Sequence, residues 1–309
     1  MIFVRKAFDF IGKHAALIIP MFILSLVPQA LAFWITGSFP SDVLTRLQTM
    51  VTDYFSSPNV GTAADAIIGA LSKMITDNFP NFGTMIGILL ISTLVLRIFI
   101  VPGVYASITR GLSDEPLSVR SAAPLFVRDM KKYVIYLVCL ALYWFFWAFC
   151  AAMIFLFAFT FSFILQSAFA VLITLAVIFI IACVIYLNLV IVLWYPAMSL
   201  EELGVEAALR KGIKVARRFM PLILLTYAVS YGLYLLIMFG FASITSSTTG
   251  LEIASVILSV LMTFFLMVFQ MILYKTYVDI EKTAYAKMIA EEEAEKAAKA
   301  EKEKNTPPE

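Results

Sequence analysis

The chain has 309 residues, of which 62% are hydrophobic and 14% charged, with a mean hydropathy of +0.93. Soluble domains average about 45–50% apolar and about 25% charged residues, so the composition excludes an ordinary water-soluble globule and predicts a membrane protein. The net charge of +2 is small and conceals a strong polarity along the chain.

Residues 2–14 read as a basic amphipathic helix carrying Arg5, Lys6 and Lys13, and they lead directly into an apolar stretch at 15–36. Basic residues, an apolar run and Ala30-Leu31-Ala32 together imitate a secretory signal. Hydrophobicity nevertheless continues through Phe33, Trp34 and Ile35, so the expectation is a retained first span. Residues 37–83 are the only sizeable external segment between spans. Ser41 can cap a first helical pattern (Val43, Leu44, Leu47, Met50, Val51, Tyr54, Phe55), and Thr62 and Asp65 a second (Ile67, Ile68, Leu71, Met74, Ile75), with a turn at 56–61 between them. This predicts an external helical hairpin, serving as a lid over the bundle or as a docking or gating element.

Further apolar runs at 84–108, 133–158, 169–195, 221–244 and 253–278 are each long enough to cross about 30 Å of hydrocarbon as a helix. The stretch from 133 to 197 holds no charge and exceeds two spans, so it requires a turn, placed at Ser162, Gln166 and Ser167. Amphipathic helices are expected at 117–132 and 199–219; the latter begins with Glu201 and Glu202 and ends with Arg217 and Arg218, in accord with the helix macrodipole. Residues 281–309 form a charged tail, helical at first, with Glu292 and Lys296 at supportive i, i+4 spacing and Pro307 and Pro308 near its end.

A short pattern recurs three times. Val4, Ala7 and Lys13 share the spacing of Val119, Ala122 and Arg128 and of Val205, Ala208 and Lys214, and each set precedes an apolar run. The predicted fold is therefore all-α: a polytopic membrane helix bundle over residues 1–280, with six transmembrane helices in three repeats of an interfacial amphipathic helix plus a helical hairpin. With the N-terminus cytoplasmic, 20 of the 23 basic residues fall on the cytoplasmic side. Arg46 and Lys73 lie opposite and Arg97 lies inside a span. The positive-inside rule then puts both termini in the cytoplasm and the protein in the cell membrane.

Catalytic constellations are close to absent. His14 is the single histidine, Cys139, Cys150 and Cys183 fall within spans without metal spacing, and no span carries a carboxylate fit for a proton relay. No catalytic residue, metal or cofactor is expected, and the chain reads as a non-enzyme. Asn188, Gln270 and Gln29 read as hydrogen-bonding residues between helices. Arg97 is the one ionisable side chain well inside a span, at a cost of at least roughly 2.5–3.5 kcal/mol. Two placements satisfy it: snorkelling past a helix ended or kinked by Pro102 and Gly103, or an inward-facing contact to an anion or headgroup. Arg128, Lys131, Lys132, Lys214, Arg217 and Arg218 are further candidate contacts for anionic headgroups.

The residues Ala7, Phe8, Phe10, Ile11 and Lys13 up to Pro20, with Tyr195-Pro196-Ala197 followed by Glu201, Glu202, Leu203 and Gly204, resemble a broad group of uncharacterised prokaryotic six-span proteins. The same pattern is similar to the membrane domain fused to some glycerophosphodiester phosphodiesterases. The resemblance covers nearly residues 1–280 and implies an accessory or lipid-associated role. It transfers no catalytic residue, because the metal-binding carboxylates and histidines of the phosphodiesterase part are missing. Three functions remain open: a membrane protein organising lipid or a membrane-protein partner, a transporter or lipid-translocating protein for an anionic substrate, and a membrane enzyme acting on lipid headgroups. Membrane lipids are the expected partners, and nucleic acid is not.

Overall fold

In a computed structural model of the chain, residues 2–36, 63–113, 119–164, 169–244 and 248–304 are described. Helix is the only regular structure among them. In chain order the α-helices are α1 (Ile2–Lys13), α2 (Ile18–Thr36), α3 (Ala63–Leu112), α4 (Val119–Ile164), α5 (Phe169–Ile191), α6 (Trp194–Leu200), α7 (Val205–Arg218), α8 (Met220–Ile244) and α9 (Thr248–Lys304). A 3-10 turn, Ala15–Leu17, joins α1 to α2. Among the described residues six stretches are long and apolar enough to span a membrane: Ala15–Thr36, Gly83–Leu112, Asp129–Phe161, Thr174–Leu200, Met220–Ile244 and Gly250–Glu291.

The first limb and turn of the hairpin expected within 37–83 lie outside the described residues, and its second limb, from Ala63, is continuous with the span that follows. Residues 119–132 likewise do not form a helix of their own. They run without a break into the third span as α4, because no glycine or proline separates Lys132 from Tyr133. Two prolines do mark helix starts. Pro196 and Pro221 fall in the first turns of α6 and α8, where a backbone N–H has no intrahelical partner to lose.

The chain divides into two compact units, Met1–Phe10 with Cys139–Leu224 and Met267–Glu309, and Ile11–Val138 with Leu225–Leu266. In the first unit every residue from Met267 to Tyr274 is buried; a helix segment apolar and covered on all faces is a core element rather than a surface one. Helix α7 packs on α6 and α5 through Ala208, Gly212, Val215 and Ala216, while Glu206, Arg210, Lys214, Arg217 and Arg218 form an exposed stripe. This is the 3.6-residue periodicity of an amphipathic helix. Phe3 of α1 meets Phe219 edge to face at 6.3 Å between centroids. In the second unit α2 packs along α3, with Ala32, Met85 and Ile108 buried, and Tyr234 of α8 hydrogen-bonds Ser255 of α9 at 3.0 Å. By contrast, α4 leaves Leu142, Phe145, Phe149 and Phe157 well exposed, an apolar surface that hydrocarbon covers and water does not.

Gly212 lies close against the backbone where α5 gives way to α6. A Cβ there would lie 3.0 Å from both the carbonyl carbon and the oxygen of Leu193 and 3.1 Å from the Trp194 Cα, backbone atoms that cannot turn aside. Gly212→Ala is expected to destabilise the fold by about 1–3 kcal/mol, the usual range for overpacking. Gly204→Ala, with open space at its Cβ, serves as the control. Thermal melts in detergent check this: a lower midpoint for the first variant alone is expected, and equal midpoints would contradict the packing described.

Candidate functional site

The polar features divide between the two units. In the second unit, Arg97 occupies an exposed position on α3 and its Nε–H donates to the Tyr133 hydroxyl of α4 at 2.9 Å. Tyr133 is only 1% exposed, so the acceptor is fixed by packing, and its ring lies 5.7 Å from that of Tyr136. This one bond uses a single donor of the five a guanidinium carries. Among the described residues no carboxylate pairs with Arg97. The helix does not end at Pro102 and Gly103 but continues to Leu112, and Val101, Val104, Tyr105, Ala106 and Ile108 beyond the arginine are buried. Arg97 is thus a cation within a span, held from one side and open on the other.

In the first unit, Lys211 of α7 bridges two carboxylates. Its Nζ is 2.7 Å from Glu201 Oε1 and 2.8 Å from Glu281 Oε2. The buried Tyr274 hydroxyl donates to the other oxygen of Glu201, and the Tyr277 hydroxyl donates to Glu281 Oε1 at 3.4 Å. A tight turn builds the cluster. Helix α6 ends at Leu200, and Glu202 takes a left-handed φ of 57°, which a side-chain-bearing residue adopts only at some cost. The Trp194 indole N–H closes the turn by donating to the Val205 carbonyl at 2.9 Å. Burial lowers the Lys211 pKa, but the hydrogen bonds to Glu201 and Glu281 outweigh it and hold the ammonium above the ordinary lysine value.

The seven candidate headgroup contacts do not form one cluster. Lys214, Arg217 and Arg218 share the exposed stripe of α7, where the Arg218 guanidinium lies 5.9 Å from the centre of the Tyr277 ring, within cation–π range. Arg97, Lys131 and Lys132 belong to the second unit; Lys131 is exposed and Lys132 half-buried. The Arg128 side chain lies outside the described residues. Nothing in the sequence singled out the Lys211 cluster, since Glu201, Lys211, Tyr274 and Glu281 come from distant segments. The available signal was the helical i, i+3 and i+7 spacing of Tyr274, Tyr277 and Glu281 on one strip of the last helix. Among the described residues no group of three or more His, Cys, Asp or Glu side chains could hold a metal ion, and all three cysteines are free.

Comparison with protein families, characterised proteins and solved structures gives no match to this chain.

The raised Lys211 pKa fixes the sign of its pH dependence. A group whose pKa is higher folded than unfolded stabilises fully below its unfolded value, and that contribution is lost as pH rises through the folded value. Lys211→Met leaves Glu201 and Glu281 without their cation, and with Glu281 partly exposed the expected loss is about 1–3 kcal/mol at neutral pH. Melts at neutral pH and above the ordinary lysine range check this. The gap between wild type and variant should narrow at the higher pH; a gap that is absent at neutrality would contradict the bridge.

Proposed function

We propose that the chain is a multi-pass protein of the cell membrane, with both termini cytoplasmic, that acts as a lipid-associated accessory protein rather than an enzyme, and that Arg97 binds the phosphate of an anionic lipid. The observation that carries this reading is the guanidinium of Arg97, fixed by Tyr133 through one donor, lacking a carboxylate among the described residues and lying on an exposed position of a span. A charge in that setting is costly unless an anion meets it, and the planar fork of the guanidinium matches a phosphate bidentately. A lipid phosphate is the anion a membrane supplies.

Two further features support the reading. The exposed stripe of α7, ending in Lys214, Arg217 and Arg218, places cations where an anionic leaflet attracts each by about 1 kcal/mol. The distribution of 20 of 23 basic residues on one side of the six apolar helices supports cytoplasmic termini. We also read α1, residues 119–132 and α7 as the leading helices of three related units, each preceding a pair of spans. The second has fused to its span.

Native mass spectrometry of the protein released from mild detergent in the presence of phosphatidylglycerol tests the assignment. One phospholipid per chain is expected, retained about tenfold less by Arg97→Ala, because a charge-assisted hydrogen-bond pair is worth about 1.5–3 kcal/mol. Arg97→Lys, which keeps the charge but not the fork, should fall between the two. Equal retention by all three proteins would overturn the assignment.

A further inference from the structure

A cavity of about 260 Å³ opens within the second unit among α2, α3 and the first part of α9. Ser25 and Gln29 of α2, Thr93 of α3, and Ser259 and Thr263 of α9 line it. The pairs on α2 and α9 each sit at i, i+4, so each helix turns two polar side chains toward one space. None of the lining residues is charged.

Several other hydroxyls in the chain bond the backbone of their own helix. Thr36, Ser92, Ser107, Thr109, Thr160, Ser243 and Thr276 each donate to the carbonyl four residues back, the usual way a hydroxyl is satisfied inside an apolar helix. Ser25, Gln29, Thr93, Ser259 and Thr263 make no such bond, nor any other to the described residues. One backbone acceptor joins them. Pro28, inside α2, has no N–H for the Leu24 carbonyl, and both residues also line the cavity.

The chemistry of the lining constrains what could satisfy these groups. A charged ligand would meet no counter-charge among the lining residues, and a pure hydrocarbon would leave the polar groups unsatisfied at about 1–3 kcal/mol each. The space equals roughly eight or nine waters by liquid volume, enough for a small oxygen-bearing head with its chain directed into the bilayer. Thr263 is exposed, which leaves the cavity open to the surroundings.

We propose that this cavity binds an uncharged lipid through its hydroxyl or carbonyl oxygens, with the chains remaining in the membrane. Such oxygens occur in a diacylglycerol and in an isoprenoid quinone. The site is independent of the phosphate contact at Arg97.

The test incubates the full chain in detergent with dioleoylglycerol, with decylubiquinone, or with squalane, which carries no oxygen, and quantifies the ligand retained after gel filtration. About one mole of an oxygen-bearing ligand per mole of protein is expected, at least tenfold less in Ser259→Ala/Thr263→Val. Retention of dioleoylglycerol alone assigns a hydroxyl and ester headgroup, and retention of the quinone alone assigns ring carbonyls; either supports the site. Retention no greater than that of squalane, or equal in wild type and variant, overturns it and leaves the space to water. Thr93→Val, close in shape to the native side chain, is the second variant if the double one fails to fold. Phosphatidylglycerol retention should be unchanged in these variants, and Arg97→Ala should keep the neutral lipid, so each assignment fails separately.

Discussion

Hydrocarbon offers no hydrogen bonds, and the arrangement of polar groups in this chain follows from that constraint. The helices satisfy their own backbones, and several span hydroxyls bond the carbonyl one turn back. Against that background the exceptions carry information. Arg97 keeps a single protein partner, and the side chains around the cavity keep none. Both exceptions sit in the same unit, and both call for oxygen atoms that the protein does not provide.

The other unit solves its polar problem internally. Its last helix is buried without interruption from Met267 to Tyr274, and a buried tyrosine hydroxyl there must find an acceptor. Glu201 provides it, Lys211 neutralises Glu201 and Glu281, and the close backbone approach at Gly212 brings α7 near enough for the bridge. The exposed face of α7 is then left to Lys214, Arg217 and Arg218. A rigid amphipathic helix with its apolar side locked down presents those charges at a fixed position, which a loosely held loop would not.

Much of this architecture was legible in the sequence, because hydropathy reports the solvent a segment prefers. The six apolar runs correspond to the six long apolar helices, differing mainly at their ends. The continuity of residues 119–132 with the third span was not legible, since amphipathic and apolar patterns change at Lys132 and Tyr133 without a breaker. Arg97 stood out because a charge inside an apolar run is conspicuous, yet its bond to Tyr133 joins residues 36 positions apart and no local pattern reveals it. The Lys211 bridge and the cavity were hidden for the same reason. Ser25, Gln29, Thr93, Ser259 and Thr263 are individually ordinary in spans and acquire meaning only when three helices bring them to one cavity.

The central claim is that a lipid phosphate completes the polar environment of Arg97. The most direct measurement is a cryo-EM structure of the full chain in nanodiscs containing phosphatidylglycerol. The account predicts phosphate density about 3 Å from the guanidinium nitrogens of Arg97, with the Nε bond to Tyr133 kept. An Arg97 surrounded by acyl chains alone, or paired with a carboxylate of a second chain, would contradict it.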